Sequence, residues 1–345
     1  MRALATSLAL VCMAASAASH SNSLQPCSAA QPAPGPEPRV NKALKALLAA
    51  ADDFHYQGRF RDAHDTLAFA EKTALRGETD PGAHAKFWIV RGNIYLSQTT
   101  AQNSGYAEAE AAATRAIEFA EKSNGAWVIA DAYELAGRVH YSRRINLGKG
   151  DYETPLDYWQ KSLTLRRKVN DTRGVIESLF RVGLIHERKD ESAQAIALYQ
   201  EALRTAGEKF PLERSNVYRH LAYQKQGQGD FDTALRYFEQ SLVLREEAGF
   251  LLTRAPALNS IGDLYRRMKN YERALEYNQR ALEEAEKFGA PRFMVMALIS
   301  IGETHAAQGE QARATEQWRR AERLAGQIGY TVGRDQARDR LKKTT

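Results

Sequence analysis

Apolar residues along most of this chain recur at intervals of three, four and seven, with charged residues between them. That period belongs to amphipathic helices lying with one face against a core. The stretch from Ile261 to Leu282, IGDLYRRMKNYERALEYNQRAL, shows the unit: two such helices, broken at Lys269-Asn270. It aligns with a segment beginning forty residues later at Ile301, with one forty residues earlier at Leu221, and with another thirty-nine before that at Val182. A repeat of this length predicts stacked helix hairpins, and no stretch reads as a strand.

Small residues mark where the two helices of each hairpin meet. On the first helices they are Ala51, Gly92, Gly137, Gly183, Ala222, Gly262 and Gly302. On the second helices they are Ala63, Ala109, Ala195, Ala234, Ala274 and Ala314, with another small residue seven positions on at Ala70, Ala116, Ser162, Ala202, Ser241, Ala281 and Ala321. Antiparallel helices approach closely only where neither carries a large side chain. Bulky residues such as Trp88, Tyr199, Phe238, Leu258 and Trp318 fill the space beside those points. Each hairpin leaves an apolar face bare, so neighbours must stack. Pro155 replaces the usual Ala in the third copy, near a helix start where the missing N–H matters least.

These residues resemble the tetratricopeptide-repeat family, whose pattern is a large residue, Leu-Gly, Tyr, Ala, an aromatic and Ala. In the best copy the places fall at Leu258, Ile261-Gly262, Tyr265, Ala274, Asn278 and Ala281, with Asn278 departing at the aromatic place. The forty-residue spacing is similar to the longer-helix variety found in kinesin light chains, in cell-polarity scaffold proteins, and in the amino-terminal arrays of bacterial proteins with caspase-like protease domains. The resemblance covers roughly residues 42–330. It implies an all-α fold, a right-handed superhelical solenoid of antiparallel helix pairs. The expected organisation is a signal peptide at 1–18, a Pro/Ala/Ser-rich linker at 19–39, seven repeats at 40–330, and a capping helix or tail at 331–345.

Two spacings are longer, 45 residues from Gly92 to Gly137 and 46 from Gly137 to Gly183. The surplus is expected between helices, at Ser97–Gly105 and Arg143–Gly150, as a binding edge or as neutral decoration. In such arrays the first helices line the concave side. The side chains expected to project inward are Asn93, Glu134, Arg138, Tyr141, Phe180, Leu184, Arg219, Tyr223, Asn259, Asp263 and Arg266. Amides and guanidinium groups suit peptide carbonyls and carboxylates, and aromatic rings cover apolar side chains. The Lys-Asn-Arg clamp with which some relatives of the family hold chaperone tails is not matched. Asn93 takes its Asn place, but Ile89 stands where the Lys belongs, and Asp131 and Leu135 follow.

Composition changes this picture little. The chain has 345 residues and a formal charge of +6, from 48 basic and 42 acidic residues interleaved along its length. That balance lacks the basic stripe of a nucleic-acid binder. The start, MRALATSLALVCMAASAASHS, has the layout of a secretory signal with cleavage after Ala17 or Ala18, which makes the periplasm or the exterior the expected location. Val11 before Cys12 does not suit a lipid anchor. Five prolines between Pro26 and Pro38 make the following segment an extended tether, and Cys27 within it is the only cysteine left after cleavage.

Chemistry is sparse. His140, His186 and His305 fall at an inner packing place of the first helix and read as satisfied, partly buried side chains. His186-Glu187 opens like a zinc-protease motif, but residue 190 is Asp. Gly148-Lys149-Gly150 lacks the rest of a phosphate loop, and Glu283-Glu284 reads as a solvated helix surface with Lys287 one turn on. No cofactor or metal is expected, and no catalytic residue. The sequence favours a non-catalytic, exported scaffold that binds a peptide or protein segment in its groove. Two alternatives stay open: an assembly subunit of an envelope or secretion complex acting through its outer or end faces, and a regulatory array for a separate catalytic partner.

Overall fold

The computed structural model describes residues 41–343, and within them every regular element is helical. The signal-like segment, the proline-rich tether and both cysteines lie outside the described residues. The helices form seven consecutive hairpins and one final helix: α1 (Lys42–Tyr56) with α2 (Phe60–Thr73), α3 (Pro81–Gln102) with α4 (Tyr106–Ser123), α5 (Ala126–Leu147) with α6 (Glu153–Lys168), and α7 (Thr172–Arg188) with α8 (Ser192–Ala206). They continue as α9 (Pro211–Gly227) with α10 (Phe231–Glu247), α11 (Arg254–Arg267) with α12 (Tyr271–Lys287), α13 (Pro291–Ala307) with α14 (Gln311–Gln327), and α15 (Thr331–Lys342). The result is an all-helical solenoid of paired antiparallel helices.

The helix starts follow from local chemistry. Asn41, Asp80, Asp171, Asp230 and Asn270 each accept a backbone N–H of the first turn through the side chain. Pro81, Pro211 and Pro291 open α3, α9 and α13, where no N–H is needed. Five hairpin turns share one residue at positive φ: Gly58, Asp190, Gly229, Lys269 and Gly309. It is followed by a backbone bond back across the helix end, as from Asp230 N to Lys225 O at 3.0 Å and Asn270 N to Tyr265 O at 2.9 Å.

The small residues sit at the crossings. Every small residue noted above on the second helices is at most 1% exposed. The aromatic residue of the second helix lies over the glycine of the first. A Cβ at Gly183 would come 2.7 Å from the Tyr199 ring, and one at Gly137 or Gly302 would overlap the indole of Trp159 or Trp318. Both indoles donate Nε1–H to backbone carbonyls, Glu134 O and Ile299 O, at 3.3 Å. In the sixth hairpin Asn278 takes the aromatic's place over Gly262, fully buried and with neither amide atom bonded to a protein group.

The longer spacings are not loops. α3 and α5 have 22 residues each, against 17 in α7, so Ser97–Gln102 and Arg143–Leu147 extend the first helices by about a turn. These polar segments contain no internal Pro or Gly before residue 105 or 148, and the helix simply continues until Asn103 or Gly148 adopts a left-handed conformation. The added turns reach across the molecule. Arg292 donates to Thr99 O at 3.3 Å and to Asn146 Oδ1, its guanidinium stacks 4.8 Å from the Tyr330 ring, and Asn103 Nδ2 donates to Ile328 O at 3.2 Å.

The array therefore curls until its ends meet. Leu44, Leu48, Phe60 and Leu67 of the first hairpin share one core with Leu252, Ala255, Ala285, Ala290 and Phe293. Tyr56 meets Phe250 edge-on at 5.0 Å. No helix among the described residues is long and apolar enough to cross a membrane.

Two outcomes check this packing. Gly137→Ala, which pushes on a buried indole, lowers stability by about 1–3 kcal/mol, whereas Gly326→Ala, with open space around it, raises it by about 0.4–1 kcal/mol; thermal denaturation reads both. Arg292→Ala opens the curl, seen as faster amide exchange in α1 and α2 and a larger radius of gyration by solution scattering. An unchanged exchange pattern would show that the end-to-end contact carries no weight.

Candidate functional site

Curling brings the inner faces of the first five hairpins around a cavity of about 360 Å³. α1 contributes Asp52, His55 and Tyr56; α3 Ile89 and Asn93; α5 Asp131, Glu134 and Arg138; α7 Arg173, Glu177, Phe180 and Arg181; and α9 Glu213 and Asn216, with Arg166 behind them and Phe250 at the closing side. First helices supply most of the lining because the hairpins stack with those helices inward.

Charge is concentrated here. Arg181 Nε donates to Glu134 at 2.9 Å and its Nη2 reaches Glu177 at 3.4 Å. Arg166 bridges Asp131 at 2.8 Å and Asp171 at 2.5 Å, and Arg173 meets Glu213 at 2.6 Å. Arg138 has a neutral partner instead, donating to Asn93 Oδ1 at 3.0 Å. Burial and the neighbouring Arg181 both push its guanidinium downward from the ordinary arginine range.

The two central carboxyl groups are driven apart. Burial, reinforced by Glu177, raises Glu134 to about 7. Burial would raise Glu177 as well, but Arg181, Arg166, Arg138 and Arg173 outweigh it and hold that group down at about 2. Glu134 is 5% exposed, and its Oε2 has no protein partner. The site therefore presents a carboxyl group that burial pushes toward its protonated form, beside a guanidinium held only by an amide. Such a surface can bond a polar ligand of either sign.

Of the residues the sequence points to, Asn93, Glu134, Arg138 and Phe180 line this cavity. Tyr141 lies apart, accepting from Arg188 Nε at 3.0 Å, and Leu184 is buried. Arg219 points its Nη2 at His220 Nε2, 3.4 Å away, and Tyr223 shares a 2.6 Å hydrogen bond with Ser260. Asn259, Asp263 and Arg266 form a second polar cluster between α11 and α13. There Asn259 donates to Ser300 at 3.1 Å, Arg266 pairs with Glu303 at 2.8 Å, and burial raises Asp263 to about 6.

The histidines of the packing place are engaged locally. His186 Nδ1 lies 2.5 Å from Glu191, His305 Nδ1 lies 2.7 Å from Glu310, and His140 stacks on Tyr158. Glu284 departs from the expected solvated surface: it is half-buried and faces Arg254 at 3.4 Å. Among the described residues no group of three or more His, Cys, Asp or Glu could hold a metal ion. Arg166, Arg173, Glu177 and Arg181 were not singled out from the sequence. For Arg166 a signal existed, since it interrupts a column that is small in five of the seven copies, at Ala74, Ala120, Ala206, Ala285 and Ala325.

The raised Glu134 sets a pH dependence. Its folded-state pKa lies above the ordinary carboxylate value of 4.5, so ionising it opposes folding, and stability falls as pH rises from about 4.5 toward 7. Glu134→Gln removes this slope: melting temperatures of variant and parent converge at pH 5, and the variant melts higher at pH 8. A parent that gains stability over that interval relative to the variant would contradict the assignment.

Comparison with known proteins agrees with the architecture. A tetratricopeptide-repeat family model matches residues 213–287 and again 253–327. Among solved structures, BtubC (BKLC) from P. vanneervenii is similar at 17% identity and a TM-score of 0.52, over 66% of this chain and 93% of that one. The apo form of RapI is similar at 17% and 0.50, over 82% and 77%. The apo quorum sensor NprR from B. thuringiensis is similar at 9% and 0.53, over 87% of each chain. At these identities the likeness concerns the fold. No curated protein matches the sequence. The chain is a helical solenoid whose residues 213–327 match the tetratricopeptide-repeat family model.

Proposed function

We propose that this protein is a non-catalytic scaffold that holds a peptide or protein segment against the interior of its curled array. The observation that carries the reading is the cavity itself. Buried guanidinium, carboxyl, amide and aromatic groups from five successive hairpins converge on about 360 Å³, with Arg138 and Glu134 Oε2 short of charged or hydrogen-bonding partners. Side chains of this kind are costly to bury for stability alone. They suit an extended chain, whose carbonyls, N–H groups and charged side chains need both donors and acceptors. Solved structures of similar fold include a quorum sensor and a signal-transduction ATPase with a tetratricopeptide repeat sensor, so the architecture serves sensing elsewhere. Export through the amino-terminal signal-like segment belongs to the same proposal and rests on the sequence of residues 1–18.

A peptide-display selection on the full chain tests the reading. Selected peptides are expected to lose about 10–100-fold in affinity on Arg138→Ala, the range of a central arginine anchor, and to be unaffected by Arg319→Ala on the exposed face of α14. Peptides that bind Arg138→Ala as well as the parent, but lose affinity on Arg319→Ala, would place the interaction on the outer surface instead.

A further inference from the structure

Four residues beyond the second small position of each second helix, the column of small residues is broken twice, by Arg166 and by Arg245. The two are 5% and 3% exposed. Their hairpins share local bonds: Ser162 Oγ donates to Ala130 O at 2.9 Å, and Ser241 Oγ donates to Ser215 O at 2.7 Å. The molecule thus contains two versions of one arginine pocket.

The versions differ in charge. Arg166 is neutralised by two carboxylates, Asp131 on the preceding first helix and Asp171 capping the next, and its Nε donates to Ser162 Oγ at 3.1 Å. Around Arg245 the corresponding places hold uncharged residues. Nη2 donates to Asn216 Oδ1 at 2.7 Å, one residue after Ser215 as Asp131 is one after Ala130, and Nη1 donates to Thr253 Oγ1 at 2.6 Å, at the cap of α11. Nε of Arg245 is buried without an acceptor.

A second cation acts on Arg245, opposed only by the Tyr223 hydroxyl. Burial first, and then Arg219, push the Arg245 guanidinium down to about 9. Arg219 lies three residues after Asn216 on α9, and its Nε is also buried without an acceptor. Two guanidinium groups with no carboxylate at ion-pair range are poor structural neighbours and good ligands for an anion. Asn216, which accepts from Arg245 and stands one turn before Arg219 on α9, lines the interior cavity.

We propose that Arg245 and Arg219, adjoining the cavity through Asn216, form an anion site that takes the oxyanion group of a bound ligand, a carboxylate or a phosphate. The inference does not require the ligand to be a peptide. The bound oxyanion does for Arg245 what Asp131 and Asp171 do for Arg166.

Thermal melts and titration calorimetry on the full chain test it, at constant ionic strength in chloride, with added sodium phosphate or sodium succinate. The parent is expected to bind saturably and to melt about 2–4 °C higher well above half-saturation. Whichever of the two saturates at the lower concentration identifies the phosphate or carboxylate source. Asn216→Asp supplies a built-in counter-ion: it melts higher than the parent in chloride and loses the anion-dependent rise. Arg245→Met also loses that rise, and if it does not fold, Asn216→Asp decides alone. A rise of equal size in the parent and in Asn216→Asp would mark general salt exclusion and overturn the site. So would an Asn216→Asp variant that melts lower than the parent in chloride.

Discussion

Everything in this fold rests on the crossing point inside each hairpin, where a large side chain of the second helix lies over a residue with almost none on the first. Trp159 over Gly137, Tyr199 over Gly183 and Trp318 over Gly302 are the clearest cases. The arrangement brings the backbones close enough for buried indoles to donate to backbone carbonyls, and it leaves each hairpin with an apolar flank that only another hairpin can cover. Asn278 shows that the contact tolerates a polar occupant when the neighbouring hairpins hold the shape, since the sixth hairpin forms with an amide there.

Stacking with the first helices inward has an electrostatic consequence. Charges that each hairpin could leave in water are gathered into one interior space, where desolvation and mutual fields act together. Arg166 shows the inexpensive solution, a guanidinium fixed by two carboxylates. Arg138 and Arg245 show a different one, with amides and hydroxyls where counter-charges could stand. Glu134 and Glu177 differ for the same reason: at Glu134 burial and the acidic neighbour outweigh three guanidinium groups, while at Glu177 four guanidinium groups outweigh burial.

The helix extensions in the second and third hairpins tie the closed curl together. Thr99 and Asn146 belong to the extended ends of α3 and α5 and Asn103 caps α3, and they bond to Arg292 and Ile328, which lie far along the chain. The apolar contacts of the first hairpin with Leu252, Ala255 and Phe293 close the same curl from another side. With them, Tyr56 and Phe250 face one another across its edge, and the cavity has a closing side.

Read alone, the sequence determined the hairpins, their order and their contact residues, because helix periodicity and the need for small residues at a crossing are local constraints written at fixed intervals. Ala63, Ala195, Ala234, Ala274 and Ala314 were recognisable from spacing and are buried as that spacing requires. It also pointed to Asn93, Glu134, Arg138 and Phe180 as inward-facing, since the same period tells which side of a first helix looks toward the axis. The tertiary structure alone decided that Ser97–Gln102 continues a helix, that the two ends of the array touch, and that Arg173, Glu177 and Arg181 join one charged cavity. Those outcomes depend on superhelical curvature, a sum of small rotations between hairpins. No single repeat encodes that sum, so contacts between residues 146 and 292 leave no mark in the local pattern.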